Sequence, residues 1–364
     1  MKRSVKPELG VLNPGPLARA LLGEIDEIVL FKVPLNTRFR GVDHREGLLL
    51  RGTEGWGECA PFWDYGPQES ATWLASALSV ASSPFPQARR TLVPLNLTVP
   101  VTPASTVEAR IDSQPGCATA KVKVADRGEL THEDLERVRF AAGILADRYG
   151  ALARVRVDAN AVWSVEQAAR ALQQLDAAAA LAGGLEYAEQ PCKSTEELAE
   201  LRTLTDVPIA ADESIRRAAN PLAVSAMKAA DVAVLKVAPL GGIRAGETLS
   251  RKLGLSPVVS SALDTSIGIA AGVGLAAALP ELPYACGLNT GSLLAADVVD
   301  QPLVSGPDSQ NPGFLSAAAA ARVHRGELSS STRSPSEGLL DVWRERLEKM
   351  AAVLLAEETR NRDD

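Results

Sequence analysis

The chain has 364 residues, 46% hydrophobic and 23% charged, a composition expected of a globular protein long enough for one large domain or two ordinary ones. A formal net charge of −7 speaks against a nucleic-acid partner, which would call for a basic face, and no apolar run approaches the roughly 20 residues of a membrane span. The basic N-terminus MKRSVK runs into no unbroken apolar segment, so no secretory signal is expected. Four widely separated cysteines, Cys59, Cys117, Cys192 and Cys286, form no CxxC pair and read as reduced, packed thiols of a cytoplasmic protein. His44, His132 and His324 stand in no metal-ligand spacing, so the chemistry must rest on other groups.

Residues 1–94 mix strand-and-turn runs (EIVLFKVPL, GLLLRG, EGWGECAPF) with the helical periodicity of ESATWLASALSVA, and predict a small α+β capping domain. From residue 95 a regular alternation begins. β-rich runs lie at 95–100, 120–125, 154–160, 185–191, 208–214, 232–238, 256–262 and 284–290, with helical stretches such as 164–182 and 194–204 between most of them. Alternation at this spacing predicts βα units on a parallel sheet. Eight such strands, with no Gly-rich phosphate fingerprint after the first, favour a TIM-like (β/α)-barrel over 95–300 rather than an open doubly wound sheet. Beyond residue 300 the pattern dissolves into Pro/Gly/Ser-rich segments, and LLDVWRERLEKMAAVLLAEE (339–358) predicts an amphipathic helix packed on the body. The segment 301–364 is expected to return to the cap.

Catalytic groups of such barrels sit at the C-terminal ends of strands. Here the third, fourth and fifth strands end in Asp158, Glu189 and Asp212, each a carboxylate closing an apolar run, where it is costly unless paired or metal-bound. Adjacent strands lie about 4.8 Å apart, so three neighbouring ends can converge on one cation. Three carboxylates without His or Cys make a hard oxygen site suited to Mg2+. Lys121 and Lys123, two apart on the second strand, share a face, and Lys236 lies on the sixth strand, diametrically opposite. The alternative for each lysine alone is a side chain snorkelling to the barrel mouth. As a set they suit abstraction of a proton α to a carboxylate that a metal holds, the metal stabilising the enediolate. Positive neighbours would depress the pKa of Lys123 toward that of a useful base.

AKVKVA, VDANAVW, YAEQP, ADES and LKVAPLGG, in this order and on these strands, resemble the muconate-lactonizing subgroup of the enolase superfamily, over nearly the whole chain. That resemblance implies Asp158, Glu189 and Asp212 as Mg2+ ligands, with Mn2+ able to substitute. It further implies Lys123 as the base of the K-x-K pair with Lys121, and Lys236 as the opposing acid/base or cation. Glu213 points to the other face and is not carried over as a ligand. Within the subgroup, FRGVDHREG (39–47, with Arg40), GWGECAPF (55–62) and SSALDTSIG (260–268, with Ser260 and Ser261) are similar to the o-succinylbenzoate synthases. So is the R-x-D-A-N pattern that joins Arg156, Asp158 and Asn160. An inward Arg156 suits a substrate with two carboxylates. The family's reaction is the syn-dehydration of 2-succinyl-6-hydroxy-2,4-cyclohexadiene-1-carboxylate to o-succinylbenzoate in menaquinone biosynthesis. An N-acylamino acid racemase, a dipeptide epimerase or a muconate cycloisomerase would use the same catalytic set. A non-catalytic binding barrel would be expected to have lost at least one of its members.

Overall fold

The computed structural model describes residues 5–39, 41–307 and 309–363. The chain opens with a four-stranded antiparallel sheet, in the order β1 (Glu8–Val11), β2 (Glu27–Phe39), β3 (Val42–Arg51) and β4 (Trp56–Cys59). The early part of β2 (Ile28–Phe31) and the late part of β3 (Leu48–Leu50) are continuously apolar because both faces are covered there. Ile28, Leu30, Leu48 and Leu50 face Trp73 and Leu74 of the helix Pro67–Ser82, whereas Val29, Phe31 and Leu49 face Ile267 and Val298 of the C-terminal half. The β2–β3 ladder runs unbroken from Glu27↔Arg51 to Pro34↔His44, shifts register beyond Pro34 and pairs again at Phe39↔Val42.

The helix Glu337–Asp363 completes this unit. Trp343, Leu347 and Met350, at helical spacing, are fully buried in the same cluster as Trp73 and Leu74. Glu348 accepts from the backbone N–H of Leu17 and Ala18 (3.1 and 2.8 Å), capping the short helix Pro16–Leu21, which has no side-chain cap of its own. A Cβ on Gly15 would come within 2.6 Å of that carboxyl, so the cap requires glycine there.

β5 (Leu92–Pro94) pairs with the late strand β13 (Phe314–Ser316). Between them lies a parallel sheet of seven strands, β6 (Asn96–Val99), β7 (Thr119–Lys123), β8 (Arg154–Asp158), β9 (Leu185–Glu189), β10 (Ile209–Ala211), β11 (Val232–Leu235) and β12 (Ser256–Val259), paired in chain order. The eighth run is present as two isolated bridges, Leu95↔Cys286 and Ser260↔Gly287, which join the sheet's two edges. Cys286 donates to the Pro94 carbonyl and Gly287 to that of Val259, at 2.7 and 2.9 Å, and the ring closes. A Cβ on Gly287 would lie 2.5 Å from the Ser260 hydroxyl, so closure needs the bare backbone. The barrel read from the alternation is thus the fold, with an antiparallel N-terminal sheet beside it. The helices after β7, β8 and β9 start at capping boxes (Thr131/Asp134, Ser164/Gln167, Ser194/Glu197), so each chain reversal is specified locally.

The two halves are joined at the helix Ser266–Ala278, which is apolar all round and buried. Its N-terminal donors are met from the other unit. Glu58 on β4 accepts from the Thr265 hydroxyl (2.6 Å) and the Gly268 N–H (2.9 Å). Burial, then Asp264 beside it, pushes the Glu58 carboxyl up to about 7. Among the described residues no helix is long and apolar enough to cross a membrane.

Candidate active site

Strand alternation sends every second residue of β6–β12 into the barrel, and these inward positions form layers. The upper layer carries the charged groups. Lys121 donates to both oxygens of Glu189 (2.9 and 2.8 Å) and lies 3.3 Å from Asp158. Lys123, in register with Asp158, bonds to it and to the Asn160 side chain (2.8 Å). Lys236, just past β11, donates to Asp212 at 2.7 Å. Asn160 takes φ +50°, a left-handed conformation that asparagine tolerates well, and its N–H returns to Asp158 at 3.1 Å. Asp158, Glu189 and Asp212 are at most 1% exposed.

These neighbours shape the proton affinities. Burial pushes the Glu189 carboxyl up to about 7, with Asp158 and Asp212 adding to the effect against Lys121 and Lys236. Burial alone would raise Asp212 too, but Arg216 and then Lys236 outweigh it and hold that carboxyl well below the usual range. Lys123 is lowered, by burial first and by the Lys121 charge, against the pull of Asp158. Lys121 goes the other way: Glu189 and Asp158 overcome its burial and hold its proton tightly.

Lys121, Lys123, Asp158, Asn160 and Lys236 line one small inner chamber together with Ser260 and Ser261. Ser261 hydrogen-bonds the Thr290 hydroxyl, and Phe62 from the N-terminal unit closes one side. Lys123 and Asn160 also line an outer cleft of about 1400 Å³, so chamber and cleft adjoin at these two residues. Arg38 and Gly41 of the β2–β3 tip border this cleft, and Arg40 lies outside the described residues. Glu213, expected to face away, borders the cleft and pairs with Arg216 at 2.6 Å.

Arg156 requires a correction. It points into the barrel as its parity with Asp158 demands, but one layer lower, and it does not line the chamber. Its guanidinium is fully buried, donating to Glu186 (2.5 Å), Asn96 (3.1 Å) and the Ala285 carbonyl (2.6 Å), with the Tyr187 ring 4.5 Å away. Residues two apart on a strand are separated by about 6.6 Å along it, enough to move a side chain from the mouth to the floor.

The chain also matches known proteins. The family profile described as enolase C-terminal domain-like covers residues 104–307, and that described as enolase N-terminal domain-like covers 30–81. The o-succinylbenzoate synthase of Thermobifida fusca is 53% identical over 75% of this chain and 83% of its own length. That of Mycobacterium ulcerans is 46% identical over 86% and 93%. The chain belongs to the o-succinylbenzoate synthase family of the enolase superfamily. Solved structures share the fold of this family at lower identity. The L-Ala-D/L-Glu epimerase of Bacillus subtilis aligns with a TM-score of 0.61 at 20% identity over 86% of this chain and 95% of its own. The muconate lactonizing enzyme of Pseudomonas putida aligns with 0.61 at 18% over 88% and 100%.

Enolase-superfamily enzymes use Mg2+. The donor chemistry here fits: three hard carboxylates on consecutive strands, whose charges raise one another's proton affinity. The three do not close around one point, and no such trio of acidic, histidine or cysteine side chains occurs among the described residues. Each is turned instead toward a lysine ammonium, which takes the place of the cation. Three lysines formally balance three carboxylates. Two further neighbours escaped the reading of strand ends. Phe62 closes the motif GWGECAPF, but nothing local says that it reaches the barrel mouth; Arg216 stands four residues after Asp212 on a helical turn, within reach of its carboxylate.

Proposed function

We propose that this protein is a cytoplasmic o-succinylbenzoate synthase, removing water from 2-succinyl-6-hydroxy-2,4-cyclohexadiene-1-carboxylate in menaquinone biosynthesis. The observation that carries the reading is that Lys123 and Lys236 line one chamber and are each bonded to a buried strand-end carboxylate, Asp158 and Asp212, with Glu189 held by Lys121 between them. Asp158, Glu189 and Asp212 would hold Mg2+, which when bound supplies positive charge to the substrate carboxylate and so acidifies the neighbouring C–H. Lys123 takes that proton, its pKa lowered by burial and by the Lys121 charge beside it. The new ammonium lies on the face from which the proton left. It protonates the departing C6 hydroxyl on that same face, so the C–O bond breaks, water leaves and the ring becomes aromatic. Lys121, which keeps its proton, holds Glu189 in place and keeps positive charge beside Lys123. Lys236 sets an ammonium on the opposite side of the ring, where it stabilises developing negative charge. Asn160 orients Lys123 through its 2.8 Å hydrogen bond.

The test is a direct assay of purified protein with the dihydroaromatic acid, alongside an N-succinylamino acid. Fast dehydration that is abolished by EDTA and restored by Mg2+ or Mn2+ is expected. Full activity in chelated protein would sink the metal reading, and racemisation outpacing dehydration would move the chain to the racemase branch of the same scaffold.

A further inference from the structure

Asp212 differs from the other two carboxylates in how it is held. Its Oδ2 faces Lys236 in the chamber, while its Oδ1 is gripped from behind by Arg216 Nε at 3.0 Å. With one oxygen engaged this way, the other alone remains for a ligand. The remaining donors of Arg216 are also committed. Nη2 bonds Glu213 (2.6 Å) and Nη1 bonds the phenol of Tyr65 (2.6 Å), which lies 151 residues earlier. Guanidinium is planar and permanently charged, so fixing Nη1 fixes the direction of Nε.

Tyr65 belongs to the N-terminal unit. Its buried ring packs edge-on against Phe62 and Trp73 (centroids 5.8 and 6.1 Å), within the cluster that the helix Glu337–Asp363 completes. The Arg217 guanidinium covers that ring at 4.7 Å and reaches Glu69 at 2.8 Å, so the turn after β10 and the start of the helix Pro67–Ser82 are clasped together. Neither Tyr65 nor Arg216 lines the chamber or the outer cleft, so their influence on a ligand passes through the carboxylates that Arg216 holds, Asp212 toward the chamber and Glu213 at the cleft.

We propose that Tyr65, acting through Arg216, is a positioning pair that aims Asp212 at the cation, so that cation binding and seating of the N-terminal unit on the barrel are coupled. This rests on the reading of Asp212 as a metal ligand. Groups behind a ligand fix its orientation, and their loss weakens metal binding by roughly ten- to a hundredfold. Coupling of this kind is reciprocal: whatever the seated cap contributes to cation affinity, the cation returns to cap seating.

The test uses the full-length protein and Mn2+, with free ion counted by electron paramagnetic resonance. Tyr65→Phe, which removes a single oxygen, is expected to weaken Mn2+ binding about tenfold, with kcat recovering at saturating Mn2+. Arg216→Lys should weaken it at least as much, and adding Tyr65→Phe to that variant should cost little more, because both act along one path. Glu69→Gln opens the exposed Arg217 pair at the same interface and should leave Mn2+ affinity within about twofold of wild type. Mg2+ should slow hydrogen exchange across residues 60–70 in the wild type and fail to do so in Tyr65→Phe. The proposal is overturned if Tyr65→Phe binds Mn2+ like the wild type, or if Glu69→Gln loses as much affinity as Tyr65→Phe. A wild-type protein that binds no Mn2+ at all would instead overturn the assignment of Asp212 as a ligand, and the pair's role with it.

Discussion

The barrel holds two buried charged clusters, one layer apart. At the mouth, Lys121, Lys123 and Lys236 face Asp158, Glu189 and Asp212; at the floor, Arg156 faces Glu186, Asn96 and the Ala285 carbonyl between two tyrosine rings. Both come from inward strand positions and both escape water. They differ in what they are free to do. The floor cluster is tied to fixed neighbours through Nε and Nη1 of Arg156, leaves the buried Nη2 without a partner among the described residues, and lines neither the chamber nor the outer cleft. The mouth cluster reaches a cleft of about 1400 Å³ through Lys123, which lines it. Burial makes a charge costly, and access decides whether that cost supports the fold or the chemistry.

The sharpest way to break this contrast is Lys123→Ala, which should cut kcat about 10³-fold and abolish exchange of the α-proton with solvent, while leaving the protein folded. Dehydration near the wild-type rate would place the base on Lys236. Next comes the opposite face. Lys236→Ala is expected to lose about 10²-fold in kcat and Lys236→Arg distinctly less, because the charge survives there with altered reach. Deuterium exchange into a non-eliminating analogue should continue in both, and its loss would make Lys236 a second base. Glu189→Gln removes a third of the proposed ligand charge and should weaken Mg2+ at least about tenfold by titration. Unchanged affinity would place Glu189 outside the ligand set.

At the floor the expectation reverses. Arg156→Met leaves Glu186, among the described residues, only its 3.9 Å pair with Arg154, and leaves Asn96 and the Ala285 carbonyl without their donor. It should cost about 3 kcal/mol of stability in denaturant unfolding while kcat/KM of the folded enzyme changes by less than about threefold. A well-folded variant that loses activity would return Arg156 to substrate recognition.

The smallest effect concerns a buried group that stays neutral. Burial lowers His324 from 6.5 to about 4, so the unfolded chain takes up its proton first as pH falls. Its contribution to stability is intact above about pH 6.5 and declines from there to about pH 4. The steepest slope is about 1.4 kcal/mol per pH unit. Replacing His324 with Phe should flatten that part of the pH–stability curve, and an unaltered slope would mean the site admits the charged ring.

Much of this was legible because periodic features carry it. Eight β-rich runs at regular spacing and a carboxylate at each of three successive strand ends are local patterns, and they lead to the barrel and to the residues around its chamber. What stayed hidden depends on depth or on distant pairing. Arg156 and Asp158 share parity, and parity names a face without naming the layer. The last helix was readable from its apolar spacing, but nothing in LLDVWRERLEKM says that Trp343 meets Trp73 and Leu74. Glu58 in GWGECAPF gives no hint that it caps a helix 207 residues further on. Tyr65 was invisible for the same reason: its partner is defined by the docking of two units.

The reach of Glu348 to the helix Pro16–Leu21 also orders events during synthesis. Its bond to Leu17 spans 331 positions, and Trp343, Leu347 and Met350 complete the same N-terminal cluster. At 5–20 residues per second a ribosome needs roughly 15–65 s to cover that distance. Ile28, Leu30, Leu48 and Leu50 can cover one side of Trp73 and Leu74 early, but the side that Trp343, Leu347 and Met350 cover has to wait for them, and a nascent chain stalled before residue 337 is expected to present that apolar side to chaperones.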